Sequence, residues 1–160
     1  MDQHIEQSIS EQIHRFISNH ESVNREQAWI ADHLDDIKLK KIISTLSIVS
    51  LHTLSALKEH SKTGIELATE LNVTRGGITR AAKSLTGHEL VDTFKKSNDQ
   101  KKLYYRLLDN GKKIADVHDQ MHQMIDSELH TKIDSKYSND ELKLVNQFLT
   151  DMNDFQENLW

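Results

Sequence analysis

Residues 64–111 read GIELATELNVTRGGITRAAKSLTGHELVDTFKKSNDQKKLYYRLLDNG, and this stretch decides the fold. Its first part sets Ile65, Leu67, Ala68 and Leu71 at helical spacing. Asn72 and Val73 interrupt that pattern, and the Thr74 hydroxyl is placed to cap a second helix. Spacing puts Ile78, Ala81, Ala82 and Leu85 on the inner side of this second helix. Arg75, Thr79, Arg80, Lys83 and Ser84 are left for the outer side. Two short strands are expected next, 90–95 and 102–107, joined by the polar, basic turn 96–101. In the second strand Leu103, Tyr105 and Leu107 point one way, Tyr104 and Arg106 the other. Helix, turn, helix and a two-stranded wing is the plan of a winged helix-turn-helix. Such a fold is mostly α with a small β-wing, and its second helix enters a DNA major groove.

On that plan the candidate DNA contacts are Thr74, Arg75, Gly76, Gly77, Thr79, Arg80, Lys83 and Ser84 on the helix. Lys95, Lys96, Asn98, Lys101 and Lys102 join them on the wing. Arg75 and Arg80 suit either bidentate guanine recognition or a phosphate clamp. Sequence does not divide these roles between them. A glycine costs about 1 kcal/mol in a helix interior relative to alanine, and less near the first turn. Gly76 and Gly77 therefore read either as tolerated surface or as a place where the backbone approaches DNA closely. A lysine at the wing tip lacks arginine's planar fork, which favours phosphate contact over base reading.

The stretch resembles the MarR family of bacterial transcription regulators. The residues that carry the resemblance are ELATELNVTRGGITRAAKSL, the wing with Asp99 and Lys101, and the exit RLLDNGKKI into a long helix. It extends over about the whole chain, since helices fall on both sides where that family keeps its dimerisation helices. Two positions depart from the family pattern. The wing reads Asp99-Gln100-Lys101 where Asp-x-Arg is usual, and Leu107-Leu108 stands where Leu-Thr is usual, leaving Asp109 as the cap. The resemblance implies a cytoplasmic bacterial homodimer that represses transcription from a palindromic operator and responds to an effector.

Charge is distributed as DNA binding requires. The chain carries −5 overall, yet residues 72–113 hold ten Lys or Arg against four Asp or Glu. The remaining residues hold ten against twenty-one. Phosphate attraction follows the local field of the docking face, so the acidic remainder does not oppose it. Taken alone, a basic run is as often a solvated surface. Cysteine is absent, which removes disulfides and thiolate metal sites. No signal peptide and no membrane-spanning run is legible, so cytoplasmic location is expected. Proline is absent too, and all five glycines fall within 64–111, so long helices are expected on either side.

The flanks fit that picture. Residues 3–20 set Ile5, Ile9, Ile13, Phe16 and Ile17 along one helical face, and 22–36 read as a second helix after a bend near 21–24. In 38–60 periodicity alone does not separate a helix from a short strand; a helix over 47–60 is expected. A long helix over 110–136 carries Ile114, Val117, Met121, Met124, Ile125 and Leu129. Ser138 and Glu141 form a capping-box pair that opens a last helix lined by Leu142, Val145, Phe148, Leu149, Met152 and Phe155. Such stripes are usually core, but here they exceed what a small winged helix needs. The expected division is 1–36 and 110–160 for dimerisation and 37–109 for the winged helix-turn-helix, with two-fold symmetry matching a palindrome.

Ten histidines are present, and His118 and His122 lie four apart, one turn along a helix face, a spacing suited to one metal ion. The string HDQMH is similar to a zinc-protease HExxH with aspartate in place of the glutamate base, a weak basis for a hydrolase. A histidine pair at this spacing also occurs by chance. The chain is further similar to the zinc-sensing, AdcR-like branch of the same family. That resemblance implies zinc ligands at His52, His118 and His122, with Glu26 or His33 as candidates for a further ligand. Zinc there would join the helix behind the reading head to the long helix. The rival effector is a small aromatic or anionic molecule in the cleft beside the reading head. A winged helix used for protein contact would instead show an acidic or apolar face over 74–84.

Overall fold

Thr63 serves a strand and a helix at once, and the centre of the chain is arranged around it. The computed structural model describes residues 3–17 and 22–158. These fall into two compact units, Met1–Met121 and His122–Trp160. The first holds α1 (Gln3–Ile17), α2 (Ser22–His33), α3 (Ile37–Ile43), α4 (Ile48–Ala56), β1 (Lys62–Thr63), α5 (Gly64–Glu70), α6 (Arg75–Gly87), β2 (Val91–Lys96) and β3 (Asp99–Leu107). The division falls within α7 (Asp109–Lys132); the second unit continues with a 3₁₀ turn (Asp134–Lys136) and α8 (Asn139–Glu157).

Among the described residues five helices begin on side-chain caps that satisfy otherwise orphaned backbone N–H groups. The Asp36 carboxylate accepts from the N–H of Lys38 at 2.8 Å to open α3. The Ser47 hydroxyl accepts from Ser50 N–H at 3.1 Å to open α4. Thr74 accepts from Gly77 N–H at 3.1 Å to open α6. At α5 the cap is reciprocal: Thr63 Oγ1 accepts from Glu66 N–H, and Glu66 Oε2 accepts from Thr63 N–H at 2.6 Å. The capping box expected at Ser138 and Glu141 forms in the same way, at 2.8 Å from Ser138 N–H to Glu141 Oε2.

Both helices of the central pair end on Schellman turns. Val73 N–H bonds Ala68 C=O at 3.0 Å and Leu90 N–H bonds Leu85 C=O at 2.9 Å. Each turn needs a left-handed residue, supplied by Asn72 (φ 49°) and Glu89 (φ 55°). Asparagine tolerates that region; glutamate has no such advantage.

The expected two-stranded wing forms as β2 and β3, and a further strand joins its sheet. That sheet has three antiparallel strands in the order β1-β3-β2. Lys62 stands opposite Tyr105 and Thr63 opposite Tyr104. A two-residue strand gives no periodicity to read, so sequence showed only a lead-in to α5. The turn is also shorter than expected: Ser97 and Asn98 alone connect the strands, and Asp99 pairs with Lys96. Asp99 Oδ1 accepts from the N–H of Lys101 and Lys102, at 3.2 and 3.3 Å, which holds this start of β3. Tyr105 and Leu107 pack on the core as expected, but Leu103 is exposed because β1 stops short of it. Tyr104 on the other face is buried under the Phe94 ring and the Lys96 ammonium.

Several helix bounds differ from the sequence reading, the first at α2, which ends at His33 rather than 36 because Asp36 caps the separate helix α3. α4 ends at Ala56, four residues early, on the Leu57 C-cap. α7 ends at Lys132, and 134–136 form the 3₁₀ turn instead. Asp109, read as a cap, is the first helical residue, with its carboxylate at the positive end of the helix dipole. The bend near 21–24 lies partly outside the described residues, as do the side chains of Phe16 and Ile17. Among the described residues no helix is long and apolar enough to cross a membrane.

The core of the first unit draws on α2 to α7 and β2, through Ile30, Ile43, Leu51, Leu54, Leu67, Ile78, Leu85, Leu90 and Ile114, each fully buried. Gly111 closes it. A Cβ there would lie 2.1 Å from the Leu90 carbonyl oxygen, so only glycine admits α7 to this position.

Gly111→Ala is therefore expected to destabilise the fold by about 1–3 kcal/mol in urea denaturation, the cost of forced backbone movement. Glu89→Gly is expected to raise stability by about 1 kcal/mol, by relieving the left-handed conformation. The Thr63 backbone N–H and hydroxyl hold the Glu66 carboxyl below the usual glutamate range. A lowered folded value stabilises above the unfolded one and is lost as pH falls through the folded one. Glu66→Gln should accordingly flatten the acid limb of the stability–pH curve below about pH 4.3.

Candidate functional site

The recognition helix α6 presents its residues as its period dictates. Ile78, Ala81, Ala82 and Leu85 are buried; Thr74, Arg75, Gly76, Thr79, Arg80 and Lys83 are exposed; Gly77 and Ser84 are half-buried. Neither glycine is required by internal packing. A Cβ would meet only Thr74 Oγ1, at 4.0 Å from Gly76 and 3.4 Å from Gly77. Arg75 and Thr79 look onto a groove of about 530 Å³ towards the wing, shared with Ile65, Lys101, Lys102 and Tyr105.

On the wing, Lys95, Lys96, Asn98, Lys101 and Lys102 are all exposed. They are not equivalent. Lys96 Nζ sits 4.1 Å from the Tyr104 ring centre, and Lys102 Nζ lies 3.6 Å from Asp99. Arg106 is bound to Asp92 at 2.6 Å, a contact that also holds the Asp92 carboxyl below its ordinary range. Among the described residues Arg75, Arg80, Lys83, Lys95 and Lys101 have no ion-pair partner, whereas Lys58, Lys62, Lys112, Lys132 and Lys143 each have one. The cations on the helix and wing are mostly uncompensated.

The histidines come together around α4 and α7. His52 and His118 have ring centres 5.1 Å apart. α7 runs unbroken through His118 and His122, and one ring nitrogen each from His52, His118 and His122 lie within 4.8 Å of one another. His118 is only 2% exposed. Its Nδ1 is 2.8 Å from Ser55 Oγ. That contact holds the His118 ring against α4.

Lys58 anchors the same network, 2.6 Å from Asp119 and 2.7 Å from Asp116. These bonds raise the Lys58 ammonium above its ordinary value. Burial pushes Asp119 up, but the hydrogen bonds from Lys58 and Ser55 and the nearby positive charge leave it below the ordinary range. Sequence reading missed Ser55, Lys58, Asp116 and Asp119. The available signal was Ser55 and Lys58 at i, i+3 on the segment facing HDQMH, and it gains meaning only once α4 and α7 are known to touch.

Of the two further ligand candidates, His33 donates Nδ1–H to the Trp29 carbonyl at 2.8 Å and stacks on the indole. Glu26 has a buried Oε2 with no hydrogen-bond partner.

No family model matches the chain. It is 34% identical over 101 residues to the transcriptional regulator AdcR of Streptococcus pneumoniae, spanning 62% of this chain and 67% of that protein. Among solved structures it is similar to the zinc-dependent MarR family transcriptional regulator AdcR in its Zn(II)-bound state. There the identity is 32%, covering 67% of this chain and 73% of that one, with a TM-score of 0.53. Lactococcus lactis ZitR in complex with DNA shares the fold, at 23% identity, 68% and 74% coverage and a TM-score of 0.59. This identity over two thirds of a regulator's length, on a shared winged-helix fold, makes the chain a member of the MarR family of transcriptional regulators, which are not enzymes.

Proposed function

We propose that this chain is a sequence-specific, double-stranded-DNA-binding repressor of the bacterial cytoplasm, acting as a homodimer on a palindromic operator and tuned by zinc. The observation that carries the DNA reading is the uncompensated row Arg75, Arg80 and Lys83 along the exposed side of α6. Thr74, Gly76, Gly77, Thr79 and Ser84 complete the helix contact, with Lys95, Lys96, Asn98, Lys101 and Lys102 on the wing. Gly76 and Gly77, which internal packing does not require, would let the backbone approach the duplex. A protein-contact module is disfavoured by the basic face of α6. The similarity to a regulator solved with DNA favours a nucleic-acid partner.

Residues 1–36 and 110–160 are assigned to the dimer and 37–109 to the reading head. α1 exposes Ile5 and Ile9, and α8 exposes Leu144, Val145, Phe148, Leu149 and Phe155. A partner subunit would cover these apolar sides.

The donor set fits zinc. Three imidazoles converge, one oriented by Ser55, and Glu26, proposed as the further ligand, keeps a buried carboxylate oxygen without a hydrogen-bond partner. His52, His118 and His122, with Glu26 as the proposed further ligand, would hold the ion, whose contribution when bound would be a tie between helices. His52 contributes from α4, behind the reading head, and His118 and His122 from α7, so occupancy would bias the spacing of the two recognition helices. Neutral imidazole is the ligand, and affinity should weaken as pH falls below about 6.5.

Fluorescence anisotropy of a duplex from the gene's own upstream region, at fixed salt, tests both parts. Zinc is expected to shift operator affinity by roughly 5–150-fold, and His118→Ala to abolish the shift while leaving metal-free binding. Specific binding that ignores zinc would discard the metal reading alone. Arg80→Ala is expected to weaken DNA binding by about 1–3 kcal/mol without dissociating the dimer; unchanged affinity would refute the placement of the recognition helix. Ser55→Ala is expected to lower zinc affinity by about 10–100-fold in competition with a chelator, through loss of the His118 orientation.

A further inference from the structure

The two arginines of α6 face different flanks. Arg75 and Thr79 line the groove towards the wing. Arg80, Gly77 and Ser84 line a second cavity of about 330 Å³ on the other flank, closed by Thr45, Ser47 and Ser50. Those hydroxyl residues belong to the corner between α3 and α4, to which sequence alone assigns no role.

The corner is tied to the end of α6 by a side-chain hydrogen bond. Thr45 Oγ1 donates to the Ile42 carbonyl at 2.7 Å, so its 3.2 Å contact with His88 is one in which Nε2–H donates. His88 is the C-cap residue of α6. The corner and the C-terminal end of the recognition helix therefore meet directly.

The same corner is basic. α3 carries Lys38, Lys40 and Lys41 within seven residues. Lys38 and Lys41 are exposed i, i+3 neighbours, and Thr45 follows one turn on, so a ridge of two ammonium groups leads to the Arg80 cavity. Among the described residues neither lysine has an ion-pair partner, and Arg80 and Lys83 beside the ridge have none. The only carboxylate in α3's first turn or cap, Asp36, is occupied at the far end by the N–H of Lys38 and Leu39.

We propose that the α3–α4 corner is a second docking surface for the DNA backbone, flanking α6 on the side away from the wing. This rests on the DNA-binding reading above and extends the footprint from two elements to three. Lys38 and Lys41 would meet phosphates beyond the recognition helix, and Arg80 would be held between groove and backbone by the corner. Phosphate is the ligand whose chemistry matches uncompensated ammonium groups and small hydroxyls with little apolar surface. A seven-residue helix is about 10 Å long, enough to follow about three base-pair steps.

The test compares wild type with the double variant Lys38→Gln/Lys41→Gln, both checked for folding by circular dichroism. Anisotropy is measured on operator and on unrelated duplex across a salt series. The expected result is a slope of log K against log salt shallower by about 0.9 for each phosphate no longer neutralised, with affinity falling by the same factor on both duplexes. An unchanged slope, with specific operator binding intact, overturns this inference and leaves the DNA reading standing. A weakening confined to the operator at constant slope also overturns it, because the lysines would then be reading bases. Absence of DNA binding by the wild type would bring down both readings together.

Discussion

The peptide groups on either side of Leu90 tie the reading head to the long helix. Its N–H closes the Schellman turn of α6 on Leu85, and its C=O accepts from Leu108 N–H at 3.0 Å, just before α7. Gly111, on the first turn of α7, leaves the space that this carbonyl needs. The recognition helix, the first strand of the wing and the start of α7 thus meet at one residue, itself fully buried. A shift of α7 at that point cannot be absorbed by a flexible connection. It must pass into the wing or into α6.

Electrostatics divides the molecule along the same line. In the body, Lys58, Lys62 and Lys112 are matched with carboxylates, and the most buried of them, Lys62, is bound to Glu70 with 2.7 Å to Oε1. On α3, α6 and the wing most cations are unmatched. Unpaired like charges repel and cost stability, so a surface that retains them has a use for the field. A chain with net charge −5 can present such a surface because the acidic groups lie elsewhere.

Much of this was legible in the sequence wherever the interactions are local. Thr74 as a cap, the Ser138–Glu141 box and the inward set Ile78, Ala81, Ala82 and Leu85 all depend on residues within a turn or two, and each stands where its spacing puts it. What was missed depends on tertiary contact. β1 exists because Thr63 and Lys62 find Tyr104 and Tyr105 some forty residues on. Ser55 and Lys58 matter because α4 meets α7. His52 entered only by resemblance, since nothing near it in the chain marks it as a neighbour of His118. The helix ends at Ala56 and Lys132 were overrun because no proline or glycine follows closely enough to mark the stop.

The double duty of Thr63 has a consequence for how the molecule opens. Its backbone stands in the sheet opposite Tyr104, its N–H is held by Glu66, and its hydroxyl starts α5. Lifting the wing costs the pairing of Lys62 and Thr63 with Tyr105 and Tyr104, while the capping box of Thr63 and Glu66, local to the start of α5, can stay closed. The short strand that carries no periodicity of its own is thus the joint between wing and reading head, its pairing belonging to the sheet and its cap to the helix.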